Sequence, residues 1–436
     1  MEYLATIPHP PGNISLLNFS TSMSINNPLA FLKSSNVYEV NVRQYTEEGT
    51  LNAFKAHMPR LKDMGVEILW FMPLTPISVK GRKGTLGSNY ACSHYTKISS
   101  EFGNEEDFRQ LVEYAHTLEF KVIIDWVANH TGQDHIWTTT NPDYYIKNEQ
   151  NQFYDRYGWD DVYDLDYTNP HLVEAMQASM KYWIDTFNID GFRCDMAHLV
   201  PLSFWESARL KLDSKKALIW IAETQNVEYY NVFDSLYNWQ LLHSFEDVAK
   251  GRTASAILEK NIKHQHSNPS KLPLNFITNH DENSHSGSEY ERLDNFVPCA
   301  QIYCILNHGI PLIYSGQELP NKKSLAFFEK DTIEWNSTFM NFGFIKKLFE
   351  LRKLIFNHTD AVIKSLDIEN DNVLAYSVTY NNNTVIILLN TTNSNQWLNA
   401  SNIPEKSYTD YFTQNIITIQ NKRWYELKKN EYWILQ

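Results

Sequence analysis

Ionisable side chains stand at the ends of several short apolar runs in this chain of 436 residues. Asp125 lies near the end of FKVIIDWV, Arg193 and Asp195 close GFRCD, Glu223 closes ALIWIAE, and Asp281 follows LNFITNH. A single carboxylate at such a position usually caps a helix or forms a surface ion pair. Because the same placement recurs after four runs, we interpret these side chains as one functional site.

The residue types in this set favour acid–base and nucleophilic chemistry on an acetal. Two neighbouring carboxyl groups beside an arginine can act as nucleophile and general acid when one stays ionised and the other protonated. The histidines lack the HExxH spacing of many metal-dependent hydrolases, and there is no Gly-rich loop for phosphoryl transfer. The sequence therefore favours acetal chemistry over both of these alternatives.

A repeating order of apolar run and amphipathic stretch must position these side chains. Runs that are apolar throughout are typical of strands buried on both faces, as in a parallel sheet covered by helices. Eight such units over about 280 residues predict a (β/α)8 TIM barrel, in which the strand ends form the active site. A doubly wound fold is disfavoured, since no Gly-rich turn follows the first run. The runs cover residues 37–42, 66–72, 120–127, 188–195, 217–223, 232–238, 274–280 and 310–316, and helical patterns include 51–64, 105–118, 172–187 and 296–307.

Two segments do not fit the barrel repeat. Residues 131–169, rich in Asp, Asn, Tyr and Trp, form a connection too long for a simple loop, and connections of this length are usually functional. From residue 358 to 436, short alternating or apolar runs are separated by turn residues, which predicts an all-β domain. The sequence thus predicts a barrel over 1–130 and 170–357, an insertion over 131–169, and a C-terminal antiparallel β-sandwich over 358–436.

Composition narrows the class of protein further. Lys and Arg total 38 against 51 Asp and Glu, a net charge of −13 that argues against binding to nucleic acid. No apolar stretch is long enough to span a membrane, and the first 20 residues do not resemble a secretory signal. Four scattered cysteines indicate free buried thiols in a reducing compartment. We therefore expect a cytoplasmic protein, or a secreted one if a signal was removed; the oligomeric state is not predicted.

Four segments carry a resemblance to a known family. DWVANH (125–130), GFRCD (191–195), IAETQN (221–226) and TNHDEN (278–283) resemble the four conserved regions of the α-amylase family, glycoside hydrolase family 13, in its order and spacing. GVEILWFMPLTPI (65–77) and GIPLIYSGQE (309–318) resemble the strand 2 and strand 8 segments of the family. The resemblance covers roughly residues 37–320. It implies the same barrel, with a domain B insertion after strand 3 and a β-rich domain C.

The resemblance also implies roles for the three carboxylates. Asp195 matches the nucleophile, which forms a covalent glycosyl–enzyme intermediate, and Glu223 matches the general acid/base. Asp281 matches the third carboxylate, which holds sugar hydroxyls in the distorted transition state. Arg193 stands two residues before Asp195 and so shares its strand face; its charge is expected to keep Asp195 ionised.

Further positions match residues that the family places around the substrate. His130, His198 and His280 are expected to contact the sugar, Asp125 to support Arg193 from beneath, and Tyr90 to form an aromatic platform. The chain also has 12 Trp, 25 Tyr and 23 Phe, and sugar rings stack on such faces. Candidates near the predicted rim are Trp126, Trp137, Trp159, Tyr163, Tyr237 and Trp239.

One departure from the family concerns the turn after the nucleophile and a calcium site. The third and fourth positions after Asp195 hold His198 and Leu199, where endo-acting members usually carry Lys and His. Asn129 stands where a calcium ligand of the family would lie. No partner carboxylate is identifiable from sequence among Asp155, Asp160, Asp161 and Asp164. A structural calcium is the one metal that the resemblance suggests, and the chemistry requires no cofactor.

The resulting hypothesis is a retaining hydrolase of α-1,4-glucosidic bonds in starch-like polysaccharides or maltooligosaccharides. The alternatives within the family are an exo-acting α-glucosidase, a maltogenic enzyme and a transglycosylase. A non-catalytic barrel that only binds its partner is a remote alternative, because it requires loss of carboxylates that this chain retains.

Overall fold

Eight parallel strands form a closed barrel at the centre of the protein. The computed structural model describes residues 28–254, 261, 270–335 and 340–436. Numbered along the chain, the barrel strands are β1 (Val37–Val40), β2 (Ile68–Phe71), β3 (Lys121–Val127), β6 (Gly191–Asp195), β7 (Ile219–Ala222), β8 (Ser235–Tyr237), β9 (Leu272–Asn275) and β10 (Ile310–Tyr314). Their order around the barrel is β1-β10-β9-β8-β7-β6-β3-β2. All eight predicted runs therefore supply a barrel strand.

Helices surround the barrel in the positions that the amphipathic stretches indicate. The predicted helix over 51–64 is two helices, because Pro59 has no backbone N–H to continue the first helix and is tolerated only in the first turn of the second. Gly65 then ends the second one in a left-handed conformation, at φ 94°. The helices are α1 (Pro28–Ser34), α2 (Val42–Tyr45), α3 (Leu51–Lys55), α4 (Met58–Met64), α5 (Glu105–Thr117), α6 (Trp137–Thr140), α7 (Pro170–Phe187), α8 (Leu202–Leu212), α9 (Trp239–Ala249), α10 (Glu289–Leu293), α11 (Val297–Ile305) and α12 (Phe342–Phe356).

The alternation of side chains along the strands divides the core into two parts. Ile68, Trp70 and Ile123 belong to a buried cluster inside the barrel, whereas their sequence neighbours pack outward against the helices. Gly191 explains the glycine of GFRCD: a Cβ atom there would lie 2.0 Å from the carbonyl oxygen of Ile219 on the adjacent strand. Glycine therefore allows β6 and β7 to approach each other at their N-terminal ends.

Two further units complete the fold. Between β3 and β6, the short strands β4 (His130–Gly132) and β5 (Val162–Asp164) pair antiparallel. After the barrel, antiparallel sheets form in the orders β11-β12-β13-β18, β14-β17 and β15-β16. Their strands are β11 (Val362–Ser365), β12 (Val373–Tyr380), β13 (Asn383–Asn390), β14 (Gln396–Asn399), β15 (Lys406–Thr409), β16 (Ile416–Ile419), β17 (Trp424–Leu427) and β18 (Tyr432–Leu435). The predicted fold class, a barrel with an insertion after strand 3 and a C-terminal β-sandwich, is confirmed.

Several smaller predictions can be placed on this fold. All four cysteines are buried and free, as predicted. Among the described residues, no helix combines the length and apolarity needed to cross a membrane. The first 20 residues, whose sequence does not resemble a secretory signal, lie outside the described ranges. The exact domain limits stay a prediction; the first strand of the insertion begins at His130.

Candidate active site

A buried arginine joins the carboxylates at the upper end of the barrel. Arg193 is fully buried, and its Nη1 lies 2.9 Å from Asp125 Oδ1 and 3.0 Å from Asp195 Oδ1. Its Nη2 lies 2.8 Å from Glu223 Oε2, as an ion pair without hydrogen-bond alignment. Its Nε donates to the Tyr237 hydroxyl at 3.1 Å. Three of the predicted carboxylates and Arg193 therefore form one cluster.

Strand pairing brings Asp195 and Glu223 side by side. The parallel register of β6 and β7 pairs Cys194 with Ala222, so the next residues along each strand are neighbours. Both carboxyl groups contact the guanidinium of Arg193, and both side chains are nearly buried. Burial raises the pKa of Asp195 well above its usual range, and the charge of Glu223 raises it further. Arg193 lowers this pKa but does not outweigh burial, and the expected ionisation of Asp195 stays a prediction.

The turn after Asp195 fixes the orientation of Glu223. Met196 adopts a left-handed backbone conformation, at φ 39°, which is unusual for a residue other than glycine. Its N–H donates to Glu223 Oε2 at 2.9 Å. Left-handed backbone of this kind is concentrated at functional sites, where the surrounding structure enforces it. The same oxygen of Glu223 thus contacts both Arg193 and Met196.

The third carboxylate belongs to a separate charge chain. His280 Nδ1 lies 2.5 Å from Glu39 Oε1, and its Nε2 lies 3.2 Å from Asp281 Oδ2. Burial alone lowers the pKa of His280, but the charges of Asp281 and Glu39 raise it well above its usual range. Burial raises the pKa of Asp281, but the charge of His280 outweighs it and lowers this pKa to about 2. The charge chain Glu39–His280–Asp281 therefore holds an imidazolium between two carboxyl groups. Asp281 is ionised, and its side chain is 42% exposed.

Tyr90 connects this charge chain to the arginine cluster. Its hydroxyl donates to Asp125 Oδ2 at 2.9 Å and lies 2.7 Å from His280 Nε2. Its ring stacks on the His280 ring, with centroids 5.2 Å apart and planes 16° apart. Asp125 also accepts a hydrogen bond from Trp70 Nε1 at 3.3 Å. Its carboxylate thus accepts hydrogen bonds from Trp70, Tyr90 and Arg193. The predicted support of Arg193 by Asp125 thus has a geometric basis.

These groups meet at the floor of a cleft of about 320 Å³. His130 lines it with its ring edge-on to Trp159, at a centroid distance of 5.3 Å, and burial lowers the pKa of His130 to about 4. A histidine with this pKa is neutral at pH 7 and can donate one N–H to a hydroxyl group. The lining side chains are those of Lys83, Ser88, Tyr90, His130, Trp159, Asp161, Val162, Asp195, Met196, Glu223, Asp281, His285, Phe327 and Phe328.

Two of the three histidines expected to contact the sugar do not line the cleft. His198 is exposed in the short turn Ala197–Leu199 and is absent from the cleft lining. His280 is 1% exposed and lies behind Tyr90 and Asp281, with both ring nitrogens already engaged. Their contact with substrate stays a prediction. Of the six candidate aromatic residues, Trp159 lines the cleft, Tyr237 contacts Arg193, and the others do not line it.

An ion pair between Arg156 and Asp164 lies beside Asn129, the position that the resemblance suggests for a calcium ligand. Asn129 Nδ2 lies 3.4 Å from Asp164 Oδ1, which identifies the partner carboxylate that the sequence did not reveal. Asp164 is fully buried, and its Oδ2 accepts from Arg156 Nε at 2.6 Å and from Arg156 N at 3.2 Å. A guanidinium therefore already supplies the positive charge beside Asp164. Within the described ranges, no group of three or more His, Cys, Asp or Glu side chains is arranged to hold a metal ion.

Sequence reasoning missed several contributors to the site. Glu39 was visible as a lone carboxylate inside the apolar run VYEVNV, but its partner lies 241 residues away. Phe327 and Phe328 come from the irregular segment after β10, and nothing in LAFFEK distinguishes them from core residues. The residues of the cleft walls were therefore harder to predict from the sequence than those of the cleft floor.

Comparison with known proteins gives matches over most of the chain. A family model described as alpha amylase, catalytic domain, matches residues 28–150 and 139–348. Alpha-amylase 3 of Dictyoglomus thermophilum is 27% identical over 330 residues, which span 66% of this chain and 64% of that protein. The maltogenic alpha-amylase of Bacillus acidopullulyticus is 25% identical over 433 residues, spanning 89% and 70%. The crystal structure of a noncanonic maltogenic alpha-amylase from Thermotoga neapolitana has a TM-score of 0.85 at 30% identity, covering 93% of this chain and 98% of that one.

Replacing Glu39 by Gln tests the charge chain. A raised pKa of His280 stabilises the fold fully below about pH 6.5, and this contribution is lost as pH rises through the folded-state value. Without the Glu39 charge the pKa of His280 falls, so less stability is present at pH 6 and less is lost by pH 9. We expect the melting temperature of the wild type to fall more than that of the variant between these two pH values, measured by calorimetry. Parallel curves for the two proteins would contradict the charge chain.

Replacing Arg156 by Ala tests whether the guanidinium takes the place of a metal ion. The variant leaves Asp164 buried without its cation, and we expect a loss of about 1–3 kcal/mol in the free energy of unfolding, since Arg156 is 39% exposed. Lys147→Ala, which breaks the exposed pair with Asp143 in the same insertion, is the matched control and should change little. Chelation by EDTA should leave the wild-type melting temperature unchanged. A clear decrease on chelation would show that a metal stabilises the wild type.

Proposed function

The chain belongs to the alpha-amylase family, glycoside hydrolase family 13, and from this membership we propose that it is a retaining hydrolase of α-1,4-glucosidic bonds. Its substrates are starch-like polysaccharides or maltooligosaccharides. The observation that carries the proposal is that Asp195 and Glu223 both contact the guanidinium of Arg193. Inverting glycosidases separate their carboxyl groups by about 6.5–9.5 Å to admit a water molecule, whereas retaining enzymes place them closer. Two carboxyl groups that come from neighbouring strands and contact one guanidinium support the retaining geometry.

In the first step of this mechanism, Glu223 gives its proton to the glycosidic oxygen while Asp195 attacks the anomeric carbon. The bond to the leaving sugar breaks, and an ester bond to Asp195 forms. For attack Asp195 must be ionised while Glu223 carries the proton, and burial, which raises the pKa of Asp195, opposes this ionisation. Arg193 favours it because its Nη1 donates to Asp195 at 3.0 Å, whereas its contact with Glu223 is not aligned for a hydrogen bond.

In the second step, Glu223 takes a proton from water, which attacks the ester-linked carbon and releases Asp195. Each displacement inverts the anomeric carbon, so the product keeps the α configuration. Asp281 stays ionised at any working pH, since its pKa is about 2, and its half-exposed carboxylate can accept bonds from sugar hydroxyls. Neutral His130 can donate to another hydroxyl from the opposite wall. Such contacts accelerate the reaction to the extent that they strengthen in the transition state.

The shape of the cleft favours one of the alternatives within the family, an exo-acting or maltogenic enzyme. Phe327 and Phe328 form one wall, and Lys83 bridges the cleft margin by ion pairs with Asp160 and Asp161, at 2.7 and 3.1 Å. These ion pairs connect the barrel side of the cleft to the insertion. A cleft margin closed in this way limits how far a glucan chain extends past the cleavage point. Two similar proteins are named maltogenic alpha-amylases. All three carboxylates are in place, so the non-catalytic alternative has no structural support.

We also propose that the protein acts inside the cell, on maltodextrins. The support is chemical: four buried thiols are free, as is usual for proteins of a reducing compartment. Fractionation of the source cells, with detection by antibody, would locate the protein, and recovery outside the cell would contradict the proposal.

Proton NMR of the enzyme acting on maltoheptaose tests reaction and cleavage pattern together. We expect α-anomeric signals to appear first and the β-anomer to grow only by mutarotation. Mixed short products indicate endo cleavage, maltose or glucose alone indicates exo action, and products longer than seven sugars indicate transfer. β-Anomers appearing first would overturn the retaining mechanism, and an absence of turnover would overturn the substrate assignment.

Replacing Glu223 by Gln separates the two catalytic carboxylates. We expect kcat to fall by about 10²–10⁴-fold on maltooligosaccharides, because Gln cannot protonate the leaving oxygen. α-Maltosyl fluoride needs no such proton, so its cleavage to the glycosyl–enzyme intermediate should be largely retained and detectable as a burst of fluoride. Asp195→Asn is the matched control: it conserves volume but removes the nucleophile, and the fluoride should not rescue it. Equal rescue of both variants would contradict the assigned roles.

A further inference from the structure

Two exposed tryptophans lie together on the C-terminal domain. Trp397 is 55% exposed and Trp424 is 46% exposed, and among the described residues these are the two most exposed tryptophans. Both belong to the two-stranded sheet formed by β14 and β17. Indole rings are costly to leave in water, so their coincidence on one small sheet requires an explanation.

The pairing register places both rings on the same face of this sheet. Trp397 lies opposite Glu426, and Asn399 lies opposite Trp424. The two tryptophans are therefore diagonal neighbours, about 7–8 Å apart in antiparallel sheets of this kind. Leu398 and Leu427 point to the other face, where both are fully buried in the core of the C-terminal domain.

Polar groups in fixed positions surround the two rings. Asn399 Nδ2 donates to Glu369 Oε1 at 2.9 Å, and Asn395 Nδ2 donates to Glu426 Oε1 at 2.8 Å. These hydrogen bonds leave the second oxygen of each carboxylate for an additional donor. The face thus combines apolar platforms with oriented acceptors, which matches the apolar ring faces and hydroxyl rims of a sugar.

The exposed area argues for a small ligand rather than a protein partner. From the areas typical of tryptophan, the two rings present roughly 200–250 Å². A stable protein interface needs about 800 Å² from each partner, well above that value. Two or three sugar units are of the right size for a platform of this area.

We propose that this face, formed by Trp397, Trp424, Asn399 and Glu426, binds α-glucan chains outside the catalytic cleft. The identity of the ligand rests on the proposed function, because the ligand is taken to be the same glucan that the cleft is proposed to cleave. None of these four residues lines the cleft. Binding here raises the local concentration of a long polysaccharide near the cleft, and short oligosaccharides gain nothing from it.

Affinity electrophoresis in native gels containing amylopectin tests the proposal. All proteins carry Glu223→Gln, so that the gel is not degraded and binding in the cleft is the same throughout. We expect Trp397→Ala/Trp424→Ala to bind amylopectin roughly 10-fold more weakly than its parent, because two stacking rings are lost. Trp397→Phe/Trp424→Phe, which keeps smaller rings, should fall between them. Ile416→Ala is the matched control, since it removes another exposed apolar side chain from the same domain, and it should bind like the parent.

Unchanged affinity in both double variants would overturn the proposal. So would a wild-type dimer, seen by light scattering, that becomes a monomer in the double variant with unchanged affinity, because the face would then bind a second copy. Turnover of maltoheptaose by the catalytically intact Trp397→Ala/Trp424→Ala variant should equal that of the wild type. If the wild type itself fails to cleave maltoheptaose, it is the proposed function that fails, and the two failures are thereby distinguished.

Discussion

The arrangement of the carboxyl groups at the C-terminal ends of the barrel strands depends on their ion pairs with the guanidinium of Arg193. This guanidinium is fully buried and contacts Asp125, Asp195 and Glu223, while Trp70 and Tyr237 lie against its faces at 5.0 and 5.3 Å. Burying a cation is costly unless its partners compensate, and removing it would leave three carboxyl groups buried without a counter-charge. Arginine suits this position because its planar donors reach several carboxylates at once and it stays charged.

The site as a whole carries more acids than bases. Its carboxyl groups are Glu39, Asp125, Asp195, Glu223 and Asp281, and its cations are Arg193 and His280. Burial raises the pKa values of Glu39, Asp125 and Asp195, and neighbouring carboxyl groups raise those of Glu39 and Asp195 further. In the proposed reaction the sugar becomes positively charged as the bond breaks. A site that confines excess negative charge before the reaction stabilises that charge without having to reorganise, and this stabilisation is usually a large term in catalysis.

The sequence predicted the parts of the site that follow from strand periodicity. Arg193 and Asp195 share a face because they are two residues apart, and the eight apolar runs predicted which ends would converge. The contact of Arg156 with Asp164 and that of Glu39 with His280 were not predictable, because loop geometry and barrel closure create them. Strands β14 and β17, each four residues long and only partly buried, show too little periodicity to be recognised. The exposed tryptophan pair was missed for the same reason.

Strand pairing also explains why Asp195 and Glu223 suit a double displacement. Neighbouring strands of a sheet lie about 4.7–4.9 Å apart, and the backbone pairing of β6 with β7 continues through the N–H of Glu223 to the carbonyl oxygen of Cys194 at 3.0 Å. Inward-facing residues at equivalent positions on adjacent strands are thereby held at close range. An inverting mechanism instead needs carboxyl groups about 6.5–9.5 Å apart, far enough to admit a water molecule. In the proposed mechanism the stereochemical outcome is therefore a consequence of which two strands carry the acids.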